Sequence, residues 1–141
     1  MKNPLLMVDT SAWVALFFED DEWHPTAVAV FEEIMRDGRR LVTTTDIFDE
    51  TATALRRWAG HTLAVRVGRQ LRQSRLTEII SVADPVKERA WSRFEKTVDP
   101  PLSLTDCTSM TIMDDLKMRD VFTYDDDFRR AGYRSVPAKK K

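Results

Sequence analysis

The apolar runs of this chain are too short for helices. Leu5-Leu6-Met7-Val8, Leu41-Val42-Thr43, Ile79-Ile80-Ser81-Val82 and Val121-Phe122-Thr123-Tyr124 are each three or four residues long, which suits strands buried on both faces. The stretches between them carry apolar residues at helical spacing. Asp9-Thr10-Ser11 offers a helix start before Trp13, Leu16 and Phe17. Pro25 opens a second helix through Ala27, Val30, Phe31, Ile34 and Met35, closed by Gly38. Thr45 or Asp46 is expected to cap a third, running to about Ala59 before Gly60. A fourth has Leu63, Val67 and Leu71 on one face, and Asp84-Pro85 starts a fifth with Val86, Ala90, Trp91 and Phe94. After Pro100-Pro101 a sixth spans Leu104 to Met118. Asp125 to Ala131 is one or two helical turns, and Arg134-Ser135-Val136 is a short last strand. Short strands alternating with helices predict an α/β fold: a three-layer domain whose sheet, about five-stranded and mostly parallel, is flanked by helices.

The 141 residues predict a single domain over 1–141, with Lys139-Lys140-Lys141 as a solvated tail. With 43% hydrophobic residues the chain can bury a core without disulfides, and its lone Cys107 can form none internally. The apolar run after Lys2 stops at Asp9, too short for a secretory signal, and no run approaches the roughly 20 residues of a membrane span. The expectation is a soluble cytoplasmic protein. A net charge of −1 excludes a global pull on nucleic acid, so any such attraction must be local.

In open parallel sheets, sites form at the carboxyl ends of strands. Asp9 and Asp125 fall there, although both also precede helices and could simply cap them. Helical phase sorts other acids. In the third helix Ile47, Thr51, Ala54, Leu55 and Trp58 share a face. Glu50 sits on its flank and Asp49 points to solvent; an ion pair with Arg57 is the plain alternative for Glu50. In the sixth, Asp106 shares a face with Met110 and Met113, while Asp115 joins Thr108 and Thr111 on a polar side. Asp114 lies on the border. Trp13, Trp58 and Trp91 are expected in the core. Trp23 is open between a helix staple and a partner contact, and His24 and His61 are peripheral.

Like charges gathered in one place repel. At about 4 Å each pair costs roughly 4 kcal/mol at an effective dielectric of 20. Asp9, Glu50, Asp106 and Asp125 together would need a counterion, and all-oxygen ligation selects Mg2+ or Mn2+. Cys107, His24 and His61 lack zinc-site spacing. Such a site suits metal-assisted phosphodiester hydrolysis.

The four acids lie in segments that resemble PIN-domain motifs: Val8-Asp9-Thr10-Ser11-Ala12-Trp13, Thr45-Asp46-Ile47-Phe48-Asp49-Glu50-Thr51, Leu104-Thr105-Asp106-Cys107 and Phe122-Thr123-Tyr124-Asp125-Asp126-Asp127-Phe128. Four motifs in order over the whole chain, at this length, resemble the VapC toxins of bacterial toxin–antitoxin pairs. Cys107 departs from the small residue expected after the third acid. The resemblance implies catalytic roles for Asp9, Glu50, Asp106 and Asp125, with metal ligation by Asp9, Asp106 and Asp125. It implies supporting roles for Thr10 and Ser11, with Asp127 as an outer acid. It also implies endoribonuclease activity, a cognate VapB-type antitoxin and homodimers.

From Thr51 to Thr77 there are six arginines and no acid, which makes Arg56, Arg57, Arg66 and Arg69 candidates for phosphate contact; a solvated helix face is the alternative. Three competing functions remain. A receiver-like signalling domain would want an Asp at a middle strand end and a late Lys, where the chain has Thr43-Thr44-Thr45 and none. A phosphatase using Asp9 would want a second Asp at the position of Ser11. A catalytically silent PIN-fold module binding RNA or a partner would not need all four acids.

Overall fold

The computed structural model describes residues 4–138; the Lys139–Lys141 tail lies outside them. Five strands form one sheet: β1 (Leu5–Val8), β2 (Arg40–Thr44), β3 (Thr77–Ile80), β4 (Asp120–Phe122) and β5 (Arg134–Val136). Their order is β3-β2-β1-β4-β5, and every pairing is parallel. The helices are α1 (Thr10–Phe17), α2 (His24–Arg36), α3 (Thr45–Ala59), α4 (His61–Gln73), α5 (Asp84–Lys96), α6 (Leu104–Asp115) and the single turn α7 (Asp127–Arg130). Crossovers between parallel strands are right-handed. The chain steps outward from β1 to β3, then jumps back to β4 on the other side. That reversal puts α1–α4 on one face and α5–α7 on the other. In keeping with this, α1 packs on α2 and α3, α3 on α4, and α5 on α6.

The central strand is dry: Leu6, Met7 and Val8 are fully buried, with Val121 and Phe122 beside them. Parallel strands need such runs because helices cover both faces. The element boundaries differ from the pattern in small ways. α3 is capped by Thr44, whose hydroxyl accepts from the Ile47 amide at 3.0 Å, one residue before the expected cap. β3 begins two residues earlier than its apolar run, and α6 ends at Asp115 rather than Met118.

Two corrections concern which side chains are inside. Thr108 and Thr111 are buried, not solvated, and residues 106–113 of α6 are buried on every side. Each threonine satisfies its hydroxyl within the helix, donating to the carbonyl four residues back, Leu104 at 3.0 Å and Cys107 at 2.8 Å. A short polar side chain can therefore face the core, and hydropathy misreads it. Trp58 and Trp91, expected in the core, are 68% and 48% exposed. Trp58 is in phase with the buried line of α3, but lies beyond Leu55, the last residue of that line to be covered. On α5 only Ala90 is buried, and the next position, Trp91, lies about 100° around the helix, stacked on Phe94 at 5.4 Å.

Candidate metal centre

The site lies where the strand order reverses, at the carboxyl ends of β1 and β4. Asp9 follows β1 directly; its amide donates to the Phe122 carbonyl at 3.0 Å, so the residue extends the ladder. It occupies the N-cap position of α1, yet its carboxylate accepts no capping hydrogen bond. The capping reading thus fails for Asp9. Its Oδ2 instead accepts from the Thr123 hydroxyl at 2.9 Å and the Ser11 hydroxyl at 3.3 Å. Ser11 accepts from the Tyr124 amide and Thr123 from the Asp125 amide, so the loop after β4 fixes both hydroxyls.

Asp106 is reached from the other face. Ser103 and Asp106 form a reciprocal capping box at the start of α6, with the Asp106 amide donating to Ser103 Oγ at 3.0 Å and the Ser103 amide to Asp106 Oδ2 at 3.2 Å. Asp125 keeps part of its capping role, since its Oδ1 accepts from the Asp127 amide at 2.9 Å. One oxygen from each of Asp9, Asp106 and Asp125 lies within 4.8 Å of the others.

This gathering is electrostatically unfavourable on its own. Burial, then the charge of Asp106, pushes the Asp9 carboxyl up to about 7 against the Thr123 hydrogen bond that lowers it. Burial likewise raises Asp106 to about 6, helped by Asp125 and Asp127 and opposed by the Ser103 bonds. Among the described residues no lysine or arginine forms an ion pair with Asp9, Asp106, Asp125 or Glu50. Elsewhere the chain does pair buried acids: Asp120 takes Arg39 at 3.0 Å and Arg134 at 3.1 Å. Oxygen donors, desolvation and no protein cation together fit a hard divalent ion.

Glu50 is corrected from inward to exposed and stands outside the three-oxygen group. Helical phase places it beside Ile47 and Thr51 but gives no depth, and Asp49 and Glu50 are exposed between those two buried residues. It is nonetheless tied to the site, accepting from the Thr10 hydroxyl at 3.0 Å. Thr10 thus orients the second acid and Ser11 the first. Asp127 sits at the rim, its carboxyl raised by partial burial and by Asp125, with Arg130 at 3.7 Å. Asp49 is exposed; Asp115 pairs with Arg89 and Asp114 with Arg93, away from the cluster. Trp23 stacks on Tyr124 with centroids 5.1 Å apart. His24 bonds the Ala15 carbonyl through Nδ1, and His61 is exposed. Arg56, Arg57, Arg66, Arg69, Arg72 and Arg75 are all exposed, and none has an ion pair among the described residues. Thr123 and Ser103 were not singled out from sequence; the signal for each was a hydroxyl residue two or three positions before an acid.

A family model for the PIN domain matches residues 6–133. The chain belongs to the PIN domain family. Membership sets aside the receiver-like and phosphatase readings. This PIN domain is 29% identical over 132 residues to the 23S rRNA-specific endonuclease VapC20 of Mycobacterium tuberculosis, in strains CDC 1551 and H37Rv, covering 94% of this chain and 98% of the relative. A crystal structure of M. tuberculosis VapC20, a Sarcin-Ricin loop cleaving toxin, superposes with a TM-score of 0.82 at 28% identity, covering 91% of this chain and 95% of that one. The five-stranded parallel sheet is shared with that structure. No helix among the described residues is long and apolar enough to cross a membrane.

Proposed function

We propose that this PIN domain is a VapC-type toxin, an endoribonuclease that hydrolyses RNA phosphodiester bonds with Mg2+ or Mn2+ held by Asp9, Asp106 and Asp125. The observation that carries this reading is three carboxylate oxygens within 4.8 Å, two of them on strongly perturbed acids, with no ion-paired protein cation among the described residues. A bound divalent ion would supply Lewis acidity toward the phosphoryl group and lower the pKa of an attacking water. The chain's own residues do the rest. Thr123 and Ser11 hold Asp9 in one rotamer by donating to Oδ2. The Ser103 box engages one Asp106 oxygen and leaves the other free. To Glu50, exposed and steadied by Thr10, we assign the role of proton acceptor.

RNA is expected to lie along the α3–α4 hairpin. Glu50 and Arg56 are on the same helix, about 9 Å apart at 1.5 Å per residue, so a strand with its scissile phosphate at the acids would pass Arg56, Arg57, Arg66 and Arg69. These would make sequence-blind phosphate contacts. The substrate of the VapC20 relatives makes a loop of 23S rRNA the first RNA to try. A cognate VapB-type antitoxin would neutralise the enzyme, and a cytoplasmic homodimer is the expected form. The test is purified protein, freed of partners, incubated with ribosomal RNA. Cleavage with Mg2+ or Mn2+, abolished by EDTA and by Asp9→Asn, is the expected result. Cleavage that persists in EDTA would overturn the metal assignment.

A further inference from the structure

Arg130 stands apart from the other arginines near the cleft. It lies in α7, immediately after the loop that supplies Asp125. Its Nη2 reaches Asp99 at 2.6 Å and its Nη1 reaches Asp127 at 3.7 Å. Asp127 in turn touches the cluster, its amide donating to Asp125 Oδ1 at 2.9 Å. Of the ion pairs among the described residues, those of Arg130 are the ones that lead to the acid centre. Arg129, beside it, is committed bidentately to Asp126 at 2.7 and 3.0 Å.

The Asp99 pairing does not look structural. The buried Arg39–Asp120 pair has side chains 11% and 7% exposed, whereas Arg130 and Asp99 are 38% and 74% exposed. An open pair of that kind contributes little and exchanges readily. The guanidinium has donors to spare, and its planar fork suits bidentate contact with a phosphate.

We propose that Arg130 is a substrate-phosphate ligand at the rim of the acidic cleft, held by Asp99 until a backbone phosphate of RNA takes that carboxylate's place. This rests on the ribonuclease reading for the identity of the anion. In a cleft of acids, a cation poised at the mouth offsets the repulsion that an incoming polyanion meets. Because the Asp99 pair is open and exchanges readily, giving it up costs binding little.

The test separates a ligand from a loop staple by the sign of two effects. Binding of a short fluorescein-labelled RNA hairpin is measured with Mg2+ against salt concentration, in the full-length Asp9→Asn background so that no cleavage intervenes. Circular dichroism checks the fold of each variant. Arg130→Ala is expected to weaken binding about five- to tenfold and lower the slope of log K against log salt by about one. Arg130→Lys should keep the slope and recover part of the affinity. Asp99→Asn should bind as tightly as the parent or up to about fivefold tighter, because it releases the guanidinium. Equal weakening by Arg130→Ala and Asp99→Asn, or an unchanged salt slope in Arg130→Ala, would overturn the proposal. If the hairpin is bound but wild-type protein cuts no RNA, the ribonuclease reading fails and the Arg130 result stands by itself.

Discussion

Replacing Asp9 by asparagine should stabilise the metal-free protein while destroying its activity. The side chain is 6% exposed and its carboxyl is raised from 3.8 to about 7. At about 1.4 kcal/mol per pKa unit, ionising it in the fold costs as much as about 4 kcal/mol, and local relaxation brings the expected gain to about 2–4 kcal/mol. The sign follows from proton counting. Between 3.8 and about 7 the folded state holds a proton that the unfolded chain has released, so wild-type stability falls as pH rises through that window. Asparagine removes this dependence. Its amide oxygen can still accept from Thr123 and Ser11, and its amide nitrogen can donate toward the neighbouring acids. Thermal unfolding in EDTA should give a gain near zero at about pH 4 that grows to roughly 6–12 °C above about pH 8. Saturating Mg2+ should narrow the gap, because only the wild type binds the ion well, and a hundredfold excess over Kd is worth about 2.7 kcal/mol. A variant no more stable than wild type in EDTA at high pH, or a gain independent of pH, would refute the reasoning.

Mg2+ affinity, measured by calorimetry, should weaken at least about tenfold between pH 8 and pH 6 with protons released on binding, because Asp106 and Asp9 titrate near about 6 and about 7; a flat profile would mean that the acids are not ligands. Thr123→Val should lower metal affinity about tenfold through loss of the Asp9 anchor, and Thr123→Ser should restore it. Asp49→Asn and Asp115→Asn should each leave RNA cleavage within about twofold of wild type, since one is exposed and the other sits in an exposed pair with Arg89. Adding EDTA should stop cleavage, and Mg2+ or Mn2+ should restore it where Ca2+ restores little.

The architecture was legible because parallel strands advertise themselves. Leu5 to Val8 cannot be anything but a covered strand once Asp9 ends the run, and the glycines at 38 and 60 mark real helix ends. The gathering of three acids was legible from position, Asp9 and Asp125 by falling at strand ends and Asp106 by sharing the inward face of α6 with Met110 and Met113. Glu50 was half legible: phase gave its side of α3, and only the fold shows it open to solvent. Trp58 and Trp91 misled because an aromatic in phase with a core line need not lie over the core. A supporting role for Ser11 was implied by the resemblance, whereas the Thr123 bond to Asp9 was out of reach, because it joins residues 114 apart through a loop whose path no periodicity encodes. Ser103 and Asp106 form a capping box that the sequence does not announce, because its last position holds aspartate rather than glutamate or glutamine.

The pairing of β1 with β4 also sets a clock on the appearance of the site. Asp9 is made 114 residues before its Thr123 anchor, and β1 before its neighbour β4. A growing chain on the ribosome therefore carries a first acid with nothing opposite it, and no partial product holds the three oxygens together. The three-acid centre therefore comes into being late, only once Asp125 has emerged and β4 has slotted in beside β1.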